Sequence, residues 1–457
     1  MNKKTLLLLT ICALFSMFVS AATFTEAELK GLLLSDNLQL QQARSEQELS
    51  ILDRKDAKTG YGPTIDLEIS GTYIQKIEEI TIPSNPTGNS SLSPYFPLKI
   101  PIEVNPFYYR FSLSLTQPIW TWGKLRNGVT MTEKLVEIRH AQRFALQKSL
   151  LAELESRLYA QHYLSALEAL LEEQLLLSQA LVALVQESFA SGMLLEEDVL
   201  SAKVSERQIG LAKVQVAQQR QRQRSAIGRL CNFSLSDADE LVWEPDEDLL
   251  QSLLTYDLKQ LQAMATGKSQ EQVRIATLMT ELASLASSIA KGSLYWKPDM
   301  AMQVSLEYGG SKFPVFEDGW KDKDDYTFNV SVGMKTTIWD GGKKFHEVSR
   351  QAIKEVQANL DMGQVYQAIE SQVEEAYFTL HLAHENLAYL HLKKESSGAE
   401  VAQQQILYDS GYGSEADLLK AKLAAVSVAF EREQQWLTYT GSFVQINTLC
   451  GVENPLL

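Results

Sequence analysis

The chain has 457 residues, a formal net charge of −15 and 45% apolar residues. The acidic balance argues against a nucleic-acid partner. Its three cysteines are too few for a disulfide scaffold.

The N-terminus reads Met1-Asn-Lys3-Lys4, an apolar run from Leu6 to Val19, then Ser20-Ala21-Ala22. A charged start, an apolar stretch and a small-residue site are expected to form a secretory signal peptide, residues 1–21, cut after Ala21 or Ala22. Ile11 before Cys12 is too bulky for a lipidation site, and the apolar run is too short for a membrane anchor. No later stretch is expected to cross a membrane as a helix. This leaves a soluble periplasmic protein or an outer-membrane barrel.

Leucine spacing predicts a helix from Thr25 to Ala57, stopped by Gly60-Tyr-Gly62-Pro63. The period then switches to two. Ile65, Leu67, Ile69 and Tyr73 alternate with Asp66, Glu68, Ser70 and Thr72, which predicts a strand over 64–74. Residues 79–106 carry six prolines and are expected to be an irregular loop. A second strand is expected over 108–118, with Tyr109, Phe111, Leu113 and Leu115 on one face. It ends at Ile119-Trp-Thr-Trp-Gly-Lys124, and a proline-free apolar pattern runs on to Ser188. At ~1.5 Å per residue such a helix is about 95 Å long, a coiled-coil element rather than a globular helix. It breaks near 189–197, at Phe189-Ala-Ser-Gly192, and resumes to about Leu230.

Residues 232–248 read as a connector, after which the order repeats. One helix is expected from Leu249 to Lys291, then strands over 299–308 and 326–337, then a long helix from Lys343 that breaks near 408–416. A shift of 219 residues superposes Ile119-Trp120 on Ile338-Trp339, Gly123-Lys124 on Gly342-Lys343, Ser191-Gly192 on Ser410-Gly411, and Cys231 on Cys450. This is a tandem duplication: 22–231 is the first structural repeat and 249–457 the second.

Each strand has about ten residues and one apolar face, the length of a membrane β-strand. A half-buried strand in a soluble sheet shares that pattern. The charges on the polar faces (Asp66, Glu68, Arg110, Glu307, Lys335) suit a water-filled lumen better. Four strands cannot close a barrel, and an open edge cannot sit in hydrocarbon. The expected fold is therefore a mixed one. A membrane β-barrel of four strands per chain closes only as an oligomer, and a long α-helical coiled-coil barrel continues it.

Several motifs together resemble the TolC family of outer-membrane efflux proteins over nearly the whole mature length. They are Pro63 and Pro298 before the strands, the Ile-Trp-x-x-Gly-Lys strand exits, and the turns Phe189-x-Ser-Gly and Tyr408-x-Ser-Gly. The resemblance implies a homotrimer with a 12-stranded barrel in outer-membrane lipid and a periplasmic helical tunnel. It also implies an export duct of a tripartite efflux or type I secretion system, working with a periplasmic adaptor and an inner-membrane pump. The turns Ser191, Gly192, Met193 and Ser410, Gly411, Tyr412 would meet the adaptor. An acidic ring would close the tunnel: Asp417 matches one family Asp, with Glu415, Asp198, Glu197 and Glu196 as neighbouring acids. Where relatives carry a second Asp this chain has Lys420, and where some carry a basic residue it has Gly413, so its closing network differs. Asp198 and Asp417 also fit as helix N-terminal acids after the glycine turn.

A soluble periplasmic coiled-coil scaffold is the alternative. An enzyme reading rests on His381 and His384 alone, at i and i+3 beside Glu385, with no carboxylate set or nucleophile–base pair to complete it. No cofactor or resident metal is expected. Gly341-Gly342-Lys343 lacks the phosphate-loop spacing. Cys231 and Cys450 are expected as small buried residues. Trp120, Trp122, Trp339, Tyr108 and Tyr109 fit an interfacial belt, and the tryptophans fit packing at the barrel–helix junction equally well.

Overall fold

The computed structural model describes residues 23–73, 79–82, 98–101, 106–235, 239–320, 322 and 325–451. The expected signal peptide lies outside them. In chain order the elements are β1 (Thr23–Thr25), α1 (Glu26–Asp36), α2 (Leu38–Thr59), β2 (Thr64–Tyr73), β3 (Glu79–Ile82), β4 (Leu98–Pro101), β5 (Phe107–Trp120), α3 (Lys124–Ala190) and α4 (Glu196–Leu230). Then follow β6 (Glu240–Val242), α5 (Glu247–Gln251), a 3-10 turn (Ser252–Thr255), α6 (Leu258–Ala265), α7 (Glu271–Gly292), β7 (Asp299–Gly310), β8 (Tyr326–Lys335), α8 (Lys343–Asp409) and α9 (Glu415–Cys450).

Four expectations are corrected. The helix expected over 25–57 breaks at Asn37, whose side-chain oxygen accepts the Leu40 N–H (3.1 Å) while its amide donates to Leu230 O (2.8 Å). The helix expected over 249–291 is four pieces. Asp257 starts α6, its N–H donating to Gln260 Oε1, and Gly267 follows the end of that helix. The loop expected over 79–106 contains an antiparallel pair, β3 with β4. Helix α7 is long and apolar enough to cross a membrane by composition. Its apolar residues Val273, Ala276, Leu278 and Leu282 are buried within the protein.

The chain divides into two compact units. One combines residues up to 49 with 137–279 and 359–457. Its packing holds matched contacts in the two halves of the chain. Thr25 and Glu28 form a capping box at α1, and Asp257 and Gln260 stand in the same relation at α6. The Cys231 thiol donates to Leu29 O (3.5 Å) and the Cys450 thiol to Leu261 O (3.4 Å). Both cysteines are free and buried, and burial pushes their thiols up to about 11 and about 12. Two apolar clusters result. Leu29, Leu33, Leu154, Leu158 and Ile227 form one, and Leu253, Leu261, Val373, Leu380, Phe443 and Ile446 the other. The short parallel pair β1–β6 ties the start of the chain to the segment between the repeats, with Phe24 opposite Leu241.

The second unit, residues 50–136 and 280–358, holds a four-stranded antiparallel sheet in the order β2-β5-β7-β8. β5 tolerates Pro118 because β2 has ended by then, its last partner being Thr64 on Thr116. A register shift between Pro118 and Trp120 marks the end of the ladder with β7.

Each long helix is entered through a left-handed turn. Trp122 (φ 52°) and Gly123 (φ 79°) make the first, Gly341 (φ 73°) and Gly342 (φ 85°) the second. Glycine suits both positions, and Trp122 accepts the strain because its indole N–H donates to Pro298 O at 2.8 Å. Lys124 pairs with Asp299 beside it.

Candidate functional site

The sheet is two-faced in register, row by row across all four strands. One face stacks Ile65–Leu115–Val304–Val330, Leu67–Leu113–Leu306–Phe328 and Ile69–Phe111–Tyr308–Tyr326. The other stacks Thr64–Thr116–Gln303–Ser331, Asp66–Ser114–Ser305–Asn329 and Glu68–Ser112–Glu307–Thr327. Arg110 and Glu307 form an ion pair on this polar face (3.6 Å). Period-two alternation and an unslipped register together produce this separation.

The apolar face is uncovered over much of its area. Ile65, Leu67, Ile69, Phe328, Val330 and Val332 are all exposed, Val330 by 59%. Single exposed leucines are ordinary, but a contiguous apolar face of this size marks an interaction surface. β2 and β8 are both free edges, and the sheet is not closed within one chain. At the strand–helix junctions Trp120, Trp122, Trp339 and Phe345 are exposed, as is Trp296, whereas Tyr109 is partly covered.

The two helical turns are built alike. In the first, Met193 N–H reaches Ser188 O and Gly192 N–H reaches Phe189 O, both at 2.9 Å. In the second, Tyr412 N–H reaches Leu407 O (2.9 Å) and Gly411 N–H reaches Tyr408 O (3.0 Å). These are Schellman motifs with glycine in the left-handed position, φ 77° and 73°. Ser191 and Ser410 donate to Glu187 O and Ile406 O, one turn back in their own helices. Met193 and Tyr412 are exposed at the tips, by 72% and 89%.

The acids that follow sit at the helix starts, Asp198 as a cap and Asp417 bonded to the cap residue Ser414. Asp198 Oδ2 accepts the Leu195 N–H (2.9 Å) at the start of α4. Asp417 sits at the third position of α9, where its N–H donates to Ser414 Oγ (3.1 Å) and its Oδ2 accepts from that hydroxyl (2.6 Å). Glu196, Glu197, Glu415, Asp198 and Asp417 are all exposed. Ser414, absent from the expected site residues, stands three residues before Asp417, a spacing typical of helix starts. Gly413 had no such signal. A Cβ there would lie about 3.0 Å from Leu407 Cβ and Tyr408 N, so a side chain at that position needs the turn to shift by a few tenths of an ångström.

His381 packs against Tyr377 (4.3 Å between rings), with no hydrogen-bond partner for its Nε2, and His384 lies 6.4 Å from Tyr439. Among the described residues no three His, Cys, Asp or Glu side chains could hold a metal ion.

The profile of the family described as outer membrane efflux protein matches residues 29–232 and 296–451. The chain belongs to the outer membrane efflux protein family. The two matched spans each carry a strand pair's exit and a long broken helix, so the family pattern is met in both repeats.

No curated protein sequence matches the chain significantly. Solved structures do. CusC, described with transmembrane channel formation, superposes with a TM-score of 0.73 at 14% identity, over 95% of each chain. The Campylobacter jejuni outer membrane channel CmeC gives 0.74 at 15% identity, over 94% of this chain and 87% of its own. The Vibrio cholerae outer membrane protein VceC gives 0.72 at 13% identity, over 93% and 96%. At such identities the likeness shows a shared fold. Family membership makes the chain an outer-membrane efflux duct.

Proposed function

We propose that three copies of this efflux protein close their four-stranded sheets into one 12-stranded transmembrane barrel. In this reading β8 of one copy pairs with β2 of the next, which would satisfy the free edges that hydrocarbon cannot tolerate. The observation that carries it is the two-faced sheet: continuous exposed apolar rows on one side, charged and hydroxyl rows on the other. The apolar rows would face outer-membrane lipid and the polar rows a water-filled lumen. The exposed Trp120, Trp122 and Trp339 suit an interfacial belt where the strands hand over to periplasmic helices.

The duct would be passive and work with a periplasmic adaptor and an inner-membrane pump, as one part of a tripartite efflux or type I secretion system. The tips Ser191, Gly192, Met193 and Ser410, Gly411, Tyr412 are the surfaces offered to the adaptor, and the apolar Met193 and Tyr412 support that role. Asp417, with Glu415, Asp198 and Glu197, would supply a ring of carboxylates that narrows the closed end and attracts cations.

The cap geometry dictates how the gate is tested. Asp417→Ala removes the charge and the hydrogen bond to the Ser414 hydroxyl together, while Ser414 still caps the residue-417 N–H. Asp417→Asn keeps an oxygen for Ser414 and removes only the charge. Asp417→Asn is expected to raise conductance in planar bilayers and to sensitise cells to detergents. Unchanged conductance would assign closure to the other acids. The conduit itself is tested by fractionation and mass: outer-membrane recovery, release only by detergent, and a three-chain particle are expected. A monomer released by osmotic shock would instead favour a periplasmic scaffold.

A further inference from the structure

The loop between β7 and β8 does not simply bridge two strands. It starts at the end of the sheet away from the strand–helix junctions, and Phe313 folds back over the sheet. The Phe313 ring meets Tyr109 edge-on (5.1 Å between centroids) and Phe111 likewise (5.5 Å). Both partners belong to the apolar face, Phe111 in the row Ile69–Phe111–Tyr308–Tyr326. The Tyr308 hydroxyl donates to Lys312 O (2.6 Å) and fixes the point where the loop turns back. Tyr308 is thereby buried, although Leu306 and Tyr326 beside it on the apolar face are exposed.

Beyond this clamp the loop presents apolar groups outward. Val315 has φ 74°, a conformation β-branched residues avoid. Val315 and Phe316 are nevertheless exposed, Phe316 by 82%, with its ring 5.6 Å from Phe313. The next residues, Glu317 and Asp318, are exposed acids. Apolar side chains continuous with the apolar sheet face and followed at once by charge are the arrangement found at a bilayer interface.

We propose that the β7–β8 loop is a membrane anchor. Phe313 holds it on the apolar face, and Val315 and Phe316 enter the acyl-chain region of the bilayer at the sheet end opposite the long helices. This rests on the reading of that face as lipid-facing. It adds a contact that the strands do not supply and sets the depth at which the sheet ends.

The test uses single cysteines carrying an environment-sensitive fluorophore in the full-length oligomer, reconstituted into phosphatidylcholine vesicles. Native Cys231 and Cys450 are buried, and labelled wild type supplies the blank. Phe316→Cys is probed beside Val330→Cys, in the middle of the apolar face, and Asn329→Cys, on the polar face. Lipids brominated near the headgroup are expected to quench the Phe316 probe, with a blue-shifted emission, and lipids brominated deep in the chain to quench the Val330 probe, while aqueous iodide leaves both bright. Adding Phe313→Ala is expected to abolish that quenching and leave the Val330 probe unchanged. Quenching at Val330 with iodide-only quenching at Phe316 would overturn the anchor and leave the barrel standing. No lipid quenching at either position would overturn both.

Discussion

Replacing Val330 with arginine is expected to destabilise the membrane-inserted protein by about 2–4 kcal/mol per subunit, the cost of a cation near the bilayer midplane. Val330 lies in the row Ile65–Leu115–Val304–Val330, well inside the strands rather than at an end. Asn329→Arg, one residue earlier, falls in the polar row with Asp66 and Ser305 and is expected to be nearly neutral. The pair isolates the environment from the chemistry, because the same side chain is added at adjacent positions of one strand. Both residues are exposed in the single chain, so in a soluble scaffold both changes would stay within about 0.5 kcal/mol. The readout is the amount of folded oligomer in the outer membrane and its resistance to heat in detergent. Equal behaviour of the two variants would contradict a lipid-facing apolar face.

The second large effect concerns Glu155 on α3, which is only 6% exposed. Burial pushes its carboxyl up to about 7; Lys30 works against that rise, and Glu26 adds to it. Lys30 is itself paired with Glu26 (3.0 Å), and Glu26 accepts the Trp243 indole N–H (2.9 Å), so neither group is committed to Glu155 alone. The folded protein therefore holds a proton on Glu155 that the unfolded chain releases near the ordinary 4.5. The sign follows from linkage. The stabilising contribution is complete below about 4.5 and is lost as pH rises to about 7, beyond which the curve levels. Glu155→Gln removes this slope. It is expected to match wild type at pH 4.5 and to exceed it above pH 7 by on the order of 2–3 kcal/mol. Apparent melting temperatures across that range check it, and parallel curves for the two proteins would contradict it.

What the sequence disclosed follows from how many residues carry each signal. The sheet faces were legible because ten-residue strands repeat a period of two several times. The turns were legible because Gly192 and Gly411 occupy a backbone conformation that few other residues accept. The duplication was legible from an unbroken register. Features of three or four residues were not. β1 and β6 have three residues each, too short to show alternation, and are held by one another. The break at Asn37 hides because leucines continue on both sides, and its cause is a contact to Leu230 far along the chain.

The turn acids illustrate a subtler limit. The sequence showed Asp198 and Asp417 as carboxylates beside a glycine turn, which fits a cap and a pore ring equally. The structure gives Asp198 a cap bond and Asp417 a bond to the cap residue Ser414, and a carboxylate has two oxygens and a charge with which to do more. Phe313 lies between the strands expected over 299–308 and 326–337, in a stretch where the sequence carries no periodic signal. Its role depends on Tyr109 and Phe111, about 200 residues away, which no local pattern discloses.

The most direct measurement of the whole account is current through a planar bilayer after adding the detergent-purified wild-type protein. Stepwise insertion of long-lived conducting units, one per three-chain particle, is expected. A protein that stays monomeric without detergent and adds no conductance at any concentration would contradict it.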